Sequence, residues 1–149
     1  MMKGEVMSKK YDIVEKSKFL EDKGFKPKDY SINFLEKTDK RIEKYREDRK
    51  AYGVDPRETW NLDTQFAYWL FTRCSMYLKE ASDKVDLSYH KFEFEGKTYT
   101  QEEAINQILE WTEPYLKKFS LSGEEETKAY DSFSKACRLW AEIVPAMWW

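Results

Sequence analysis

Two arginines stand where apolar side chains are expected. Residues 57–82 (RETWNLDTQFAYWLFTRCSMYLKEAS) form the most apolar part of the chain, yet they contain Arg73. On a helical wheel of about 100° per residue, Arg73 falls inside the apolar arc and not on the polar side. Arg49 falls in the same way inside the narrow apolar stripe of a helix predicted over residues 29–52. A buried guanidinium needs an anionic or polar partner, so both positions predict a specific contact.

Two interpretations of these arginines remain open. In the first, Arg73 and Arg49 belong to an internal ion-pair network. In the second, they form a pocket for a nucleotide-like anion, with aromatic walls that include Trp69. Arg73 can also stack on Trp69 or Tyr77. We favour the network, because no phosphate-binding loop accompanies the arginines. The carboxylates considered for it are Asp63, Glu80 and Asp86.

Other reactive residue types lack the spacing that catalysis or metal binding requires. The sequence has one histidine, His90, and its two cysteines, Cys74 and Cys137, fall on the apolar sides of predicted helices. Zinc sites normally combine several Cys or His ligands at set spacings, and a buried thiol is a poor nucleophile. The five glycines are scattered singly, without a phosphate loop. We therefore expect no enzyme activity, no metal and no cofactor.

The composition predicts a globular domain with a large aromatic core. Aromatic residues make up 17% of the 149 residues, and the formal net charge is −2. Such a chain is too aromatic for a disordered protein and insufficiently basic for a typical nucleic-acid binder. The first 18 residues lack the apolar stretch of a signal peptide. With no apolar run approaching a membrane span, we expect neither membrane insertion nor secretion.

The organisation along the chain predicts a single domain over 1–149. Residues 1–10 are expected to be a flexible N-terminus, 11–52 a charged helical segment and 53–149 the aromatic core. Residues 1–52 contain 15 basic and 11 acidic side chains, a balance of +4. The remainder contains 11 basic and 17 acidic side chains, a balance of −6. The fold class is mainly α, with four to five helices round the aromatic core and one small β-hairpin over 89–99.

Local signals place the ends of these elements. Gly24 ends a helix over 12–23, and Gly53 ends the helix over 29–52. Asp55 and Thr100 each begin a capping box, the first for a short helix and the second for a helix to Phe119. The remaining signals predict a long helix over 63–82 and a kink at Pro114. They also predict a last helix that is capped by Ser122 and ended by Pro145.

The chain ends in two tryptophans, Trp148 and Trp149, after a break at Pro145. We expect them to close the aromatic core. The alternative is an exposed patch that binds a partner, because tryptophan is enriched at interface hot spots.

Three segments carry a resemblance: RETWNLDTQFAYWL, VDLSYHKFEFEGKTYTQEEAI and IVPAMWW. They resemble a family of small phage and prophage proteins of Gram-positive bacteria, whose hairpin segment follows D-L-T-F-H-x-F-x-x-x-G-K-x-Y-T-Q-E-E. The resemblance covers roughly residues 50–149; Ser88 and Tyr89 depart from the pattern. The matching residues are Asp86, Leu87, His90, Phe92, Gly96, Lys97, Tyr99, Thr100, Gln101, Glu102 and Glu103.

The resemblance carries over no catalytic residue, but it implies a setting. It suggests a phage accessory protein in the cytoplasm of a bacterial host, where such proteins bind and block host factors, including defence proteins. A non-enzymatic protein binder is therefore expected. The alternatives are a small-ligand binder and a virion component. We also expect that the chain can form a homo-oligomer. The expected binding residues are Arg73, Arg49, Glu80, Trp69, Trp148 and Trp149.

Overall fold

A computed structural model of the chain describes residues 16–30 and 38–149. The chain divides into two compact units, Met1–Gln65 and Phe66–Trp149. The predicted flexible N-terminus, 1–10, lies outside the described residues. The single domain predicted from the sequence stays a prediction.

The first unit contains short helices. They are α1 (Lys18–Glu21), α2 (Pro27–Tyr30) and α3 (Arg41–Tyr52), followed by a 3-10 turn, Pro56–Thr59. Gly24, with φ of 92°, ends α1 as predicted, since the amide of Phe25 donates to the carbonyl of Leu20 at 3.0 Å. The start of α1 was predicted wrongly, because the Ser17 side chain accepts from the Leu20 amide and caps a helix that begins at Lys18.

The continuous helix predicted over 29–52 is wrong. Residues 38–40 are not helical, and the preceding residues 31–37 lie outside the described part of the chain. Asp39 is the physical cause of the late start. Its carboxylate accepts the backbone N–H of Arg41 at 2.9 Å and also pairs with the Arg41 side chain. These hydrogen bonds lower the pKa of Asp39 to about 2. A short acidic side chain thus satisfies a free amide at the beginning of α3.

The second unit is built from three long helices and a hairpin. Helix α4 (Leu62–Ala81) begins in the first unit, and α5 (Gln101–Leu116) and α6 (Glu124–Ile143) follow the hairpin. Two aromatic contacts mark the packing of α6 against its neighbours. The Phe133 ring stacks on Tyr115 with centroids 4.3 Å apart, and lies 6.3 Å from Phe66. The Tyr68 hydroxyl donates to the carbonyl of Leu116 at 3.5 Å.

The apolar faces of the helices predicted from the sequence indicate six mostly buried residues: Leu70, Cys74, Tyr77, Phe133, Cys137 and Trp140. Leu70, Cys74 and Phe133 are buried, as predicted. Three others were also expected to be mostly buried but are only half-buried: Tyr77, Cys137 and Trp140. Of these, Trp140 belongs to the surface described below.

The β-hairpin is confirmed. Strands β1 (Lys91–Phe94) and β2 (Lys97–Thr100) pair antiparallel, with Phe92 opposite Tyr99. Both turn residues have positive φ, 47° at Glu95 and 80° at Gly96, which is the geometry of a two-residue type I′ turn. The Glu95 carboxylate accepts from the Arg138 guanidinium at 2.8 Å. An isolated hairpin is marginally stable, and this contact with α6 supports it.

The mainly α fold with one small hairpin is therefore confirmed, as are both capping boxes. Pro114 lies in the last turn of α5, which ends two residues later. The predicted cap at Ser122 is wrong, because Gly123 takes the N-cap position of α6 without a side-chain cap. Within 16–30 and 38–149, no helix has the length and apolarity needed to cross a membrane.

Candidate functional site: a tryptophan surface

Arg73 lies on the outside of α4, so the prediction of a buried guanidinium is wrong. Its guanidinium stacks over the Trp69 ring, 5.3 Å from the centroid, which confirms one of the predicted contacts. Its Nη1 donates to the Thr72 hydroxyl at 3.1 Å. It forms no ion pair within the described residues. The error has a clear cause: the helical wheel treats apolar neighbours as buried, whereas Trp69 and Met76 are themselves exposed.

We give the name tryptophan surface to six apolar side chains on α4, on α6 and in the residues after α6: four are tryptophans, and all but the half-buried Trp140 are exposed. The Trp69 ring packs edge-on against Trp140 on α6, with centroids 6.1 Å apart. Met76 is seven residues after Trp69 and lies on the same stripe of α4. Val144 follows Trp140 by one turn, in the 3-10 turn Val144–Ala146. The members are Trp69, Met76, Trp140, Val144, Trp148 and Trp149.

The last residues of the chain are held by their backbone. The buried amide of Gln101 donates to the carbonyl of Ala146 at 3.3 Å and to the Tyr77 hydroxyl at 3.2 Å. The Tyr77 hydroxyl in turn donates to the carbonyl of Trp148 at 3.3 Å. Burial raises the pKa of Tyr77, while the Gln101 hydrogen bond acts in the opposite direction. The two bonds to Ala146 and Trp148 hold the segment on α4 and α5 without engaging the indole rings.

The two terminal indole rings face solvent. Trp148 is 71% exposed and Trp149 is 57% exposed, so the expectation that they close the core is wrong. Their exposure agrees instead with the alternative, an aromatic patch available to a partner. The Lys84 ammonium lies 4.7 Å from the centroid of the Trp149 ring. The hydrophobicity of the sequence could not distinguish a position in the core from an exposed binding patch, because tryptophan is common in both.

Glu80 does not pair with Arg73. Its carboxylate lies 3.1 Å from the Lys79 ammonium and 4.0 Å from that of Lys84. The hydrogen bond from Lys79, with the charges of both lysines, lowers the pKa of Glu80. Glu80 therefore stays ionised at the edge of the tryptophan surface and partly offsets the positive charge of Lys84.

Arg49 belongs to a different cluster, within the first unit. Its Nη2 donates to the Asp55 carboxylate at 2.7 Å, and its Nη1 lies 3.4 Å from the Glu58 carboxylate. The Arg57 guanidinium donates to the same Asp55 oxygen at 2.8 Å. The sequence predicted an ion-pair network, but the partners named for it, Asp63, Glu80 and Asp86, are wrong for Arg49. The partners of Arg49 are the two acidic residues of the DPRE capping box, Asp55 and Glu58.

This cluster leaves Arg49 unsuited to an anion pocket. Asp55 is only 1% exposed and accepts from two guanidiniums. Burial tends to raise the pKa of Asp55, but the hydrogen bonds from Arg57 and Arg49 outweigh it and hold the pKa below its usual value. The ionised carboxylate therefore neutralises the arginines internally. An external phosphate would have to displace it, so the geometry gives no support to a pocket built on Arg49 and Arg73.

The two cysteines and the histidine lie on different elements of the described chain, Cys74 on α4, Cys137 on α6 and His90 just before β1. Burial raises the pKa of Cys74 to about 12 and also raises that of Cys137, so neither thiol supplies a thiolate at neutral pH. The exposed His90 ring lies against Tyr89, with centroids 5.1 Å apart. In the part of the chain that the structure describes, no three His, Cys, Asp or Glu side chains are grouped to hold a metal ion.

The tryptophan surface, which lies within the described residues, is therefore the candidate site for binding. Comparison of the chain with protein-family models, with curated proteins and with solved structures found no match.

Proposed function

We propose that the chain is a non-enzymatic protein-binding protein that docks on its partner through the tryptophan surface. The observation that carries the proposal is the combination of exposed indole rings with a fixed backbone at Trp148 and Trp149. Large exposed apolar patches are uncommon on monomeric proteins and usually mark an interaction site.

The geometry suits an interface for a second reason. Tryptophan and arginine are enriched among the residues that dominate binding energy, and both types occur together at Trp69 and Arg73. Because the Gln101 and Tyr77 hydrogen bonds already order the terminal segment, less conformational entropy is lost on docking. Most of the free energy gained by burying an exposed indole ring is then available for affinity, because little of it is spent on ordering the segment.

The proposed partner is a bacterial host protein. The resemblance of residues 50–149 to small phage and prophage proteins supports this setting, and it includes the terminal IVPAMWW. In that setting the chain acts in the host cytoplasm as a phage accessory protein. Blocking a host factor, such as a defence protein, needs only an occupied surface and no catalytic group. The tryptophan surface supplies such a contact.

Co-purification with matched variants tests the proposal. The full chain, a Trp148→Ala/Trp149→Ala variant and a Phe119→Ala variant are each incubated with a lysate of a Gram-positive host. Phe119 is an exposed aromatic outside the tryptophan surface and serves as the control. We expect at least one host protein to be retained by the wild type and by Phe119→Ala but lost by the double variant.

The partner is then purified and titrated directly against the same three proteins. Equal retention of the host protein by the wild type and both variants contradicts the proposal. So does the appearance of a small molecule in place of a protein, which favours the ligand-binding alternative. A ring-sized oligomer in light scattering, without any host partner, favours a virion component.

A further inference from the structure

The tryptophan surface carries two cations, and each lies over an indole ring. The Arg73 guanidinium is 5.3 Å from the Trp69 centroid, and the Lys84 ammonium is 4.7 Å from the Trp149 centroid. Residues 66–149 contain ten basic and 14 acidic side chains, a balance of −4. Two cations thus lie against exposed indole rings in a unit that is negative as a whole.

Arg73 is the cation with unused hydrogen-bonding capacity. A guanidinium has five N–H donors in one plane, and within the described residues Arg73 uses Nη1 for a bond to Thr72. The Trp69 ring lies against the guanidinium, 5.3 Å from its central carbon, and the other N–H groups of Arg73 have no hydrogen-bond partner within the described residues. Two N–H groups of a guanidinium match the two oxygens of a carboxylate. Stacking also restricts the long side chain before a ligand arrives, so less of its freedom is lost on binding.

We propose that the tryptophan surface recognises a protein segment in which a carboxylate lies beside apolar side chains, and that Arg73 binds this carboxylate. The inference rests on the proposed function and adds the chemistry of the partner. Trp148 and Trp149 contact the apolar side chains, and Lys84 adds a weaker attraction, since Glu80 partly offsets its charge. The partner's charge is thus complementary to the surface.

A nucleic acid is the other macromolecule that arginine and tryptophan can bind. Its affinity comes mainly from an extended track of cations along the phosphates. Here two cations stand in a unit of net charge −4, which repels a polyanion over a longer range. A single carboxylate in an apolar segment avoids that repulsion. The observations therefore favour a protein segment.

The first test selects ligands without assuming a partner. The immobilised full chain is screened against a display library of random 12-residue peptides. We expect the selected peptides to combine aromatic or aliphatic residues with a neighbouring Asp or Glu. Arg73→Met keeps an apolar stem but removes the charge, so its selected peptides should keep the apolar residues and lose the acidic preference.

Lys128→Met is the matched control. Lys128 is an exposed lysine in the first turns of α6, beside Glu124 and away from Trp140, so this variant loses one charge elsewhere. It should select the same peptides as the wild type. The thermal unfolding midpoints of Arg73→Met and the wild type are compared first, and similar midpoints are expected because Arg73 is exposed.

The second test measures the carboxylate contact itself. One selected peptide is synthesised with its acidic residue and with the matching amide. Replacing the carboxylate should weaken binding to the wild type by about fivefold to tenfold, and binding to Arg73→Met by less than about twofold. Equal weakening for both proteins overturns the role of Arg73.

The outcomes separate the two proposals. If the wild type selects only apolar peptides and the Trp148→Ala/Trp149→Ala variant does not, the proposed function stands and this inference is wrong. If the wild type enriches no peptide above background, both fail. A labelled 20-nucleotide single-stranded DNA serves as the last probe. If the wild type binds that DNA more tightly than any selected peptide, and Arg73→Met does not bind it, the ligand of the surface is a nucleic acid and this inference is wrong.

Discussion

Asp55 carries a charge at a position almost closed to solvent, and two arginines surround it. Removing the charge by Asp55→Asn leaves Arg49 and Arg57 without their shared counter-ion. Breaking a buried ion pair on one side costs about 3–5 kcal/mol, and the lower end applies here because Arg49 is partly exposed and retains Glu58. Chemical denaturation near neutral pH measures the loss. Asp83→Asn, at an exposed aspartate, is the control and should change stability by less than about 0.5 kcal/mol.

The same carboxylate predicts a pH dependence. Its folded pKa lies below the ordinary value of 3.8, so its stabilisation is complete above 3.8 and is lost as pH falls through the lowered pKa. The difference in unfolding free energy between wild type and Asp55→Asn should therefore be constant between about pH 5 and about pH 7, and shrink at about pH 3. A difference that shrinks already between pH 7 and 5 contradicts this assignment.

At the scale of single elements, the beginnings of α5 and α6 can be compared directly, because only α5 begins with a capping box. The Thr100 hydroxyl accepts from the Glu103 amide at 3.1 Å, whereas Ser122 does not cap α6. Thr100→Ala should lower the unfolding free energy by about 1 kcal/mol, and Ser122→Ala by less than about 0.5 kcal/mol. Denaturant titration of the two variants measures both. A larger effect at Ser122 would restore the cap predicted from the sequence.

Elements fixed by short-range chemistry were predictable from the sequence. The capping boxes at Asp55 and Thr100, the stop at Gly24 and the turn at Gly96 each depend on residues within a few positions of one another. The break at Asp39 is also local, but the charge pattern around it was equally compatible with a continuous helix. The balance between two local hydrogen-bonding arrangements decided the start of α3.

The site was less predictable, because exposure is a tertiary property. Arg73, Trp69 and Met76 share one stripe of α4, and whether that stripe is covered depends on segments far along the chain. The wheel therefore placed Arg73 correctly on the stripe but predicted the wrong environment. The backbone bonds that hold Ala146 and Trp148 come from Gln101 and Tyr77, at separations that no periodic pattern reveals.

At the scale of the whole molecule, Phe133 tests the core and the predicted single domain together. Its ring is buried and stacks on Tyr115, so Phe133→Ala should cost about 3–5 kcal/mol. Native-state hydrogen exchange reads out the amides of α3 and α5 separately. If 1–149 unfolds as one cooperative domain, protection should fall by the same free energy in both helices. A loss confined to α5 shows that Met1–Gln65 and Phe66–Trp149 unfold independently.

The fixed backbone and exposed rings of Trp148 and Trp149 have an optical consequence. An indole in contact with water emits at longer wavelength than a buried one, and small dissolved quenchers reach it readily. The exposed rings of Trp148 and Trp149 are therefore intrinsic fluorescent reporters, with no label attached. A docked partner would shift the emission of these two rings toward the blue and shield them from iodide. The change that is present in the wild type and absent from Trp148→Ala/Trp149→Ala separates their signal from that of the other four tryptophans, so occupancy can be followed continuously during a titration.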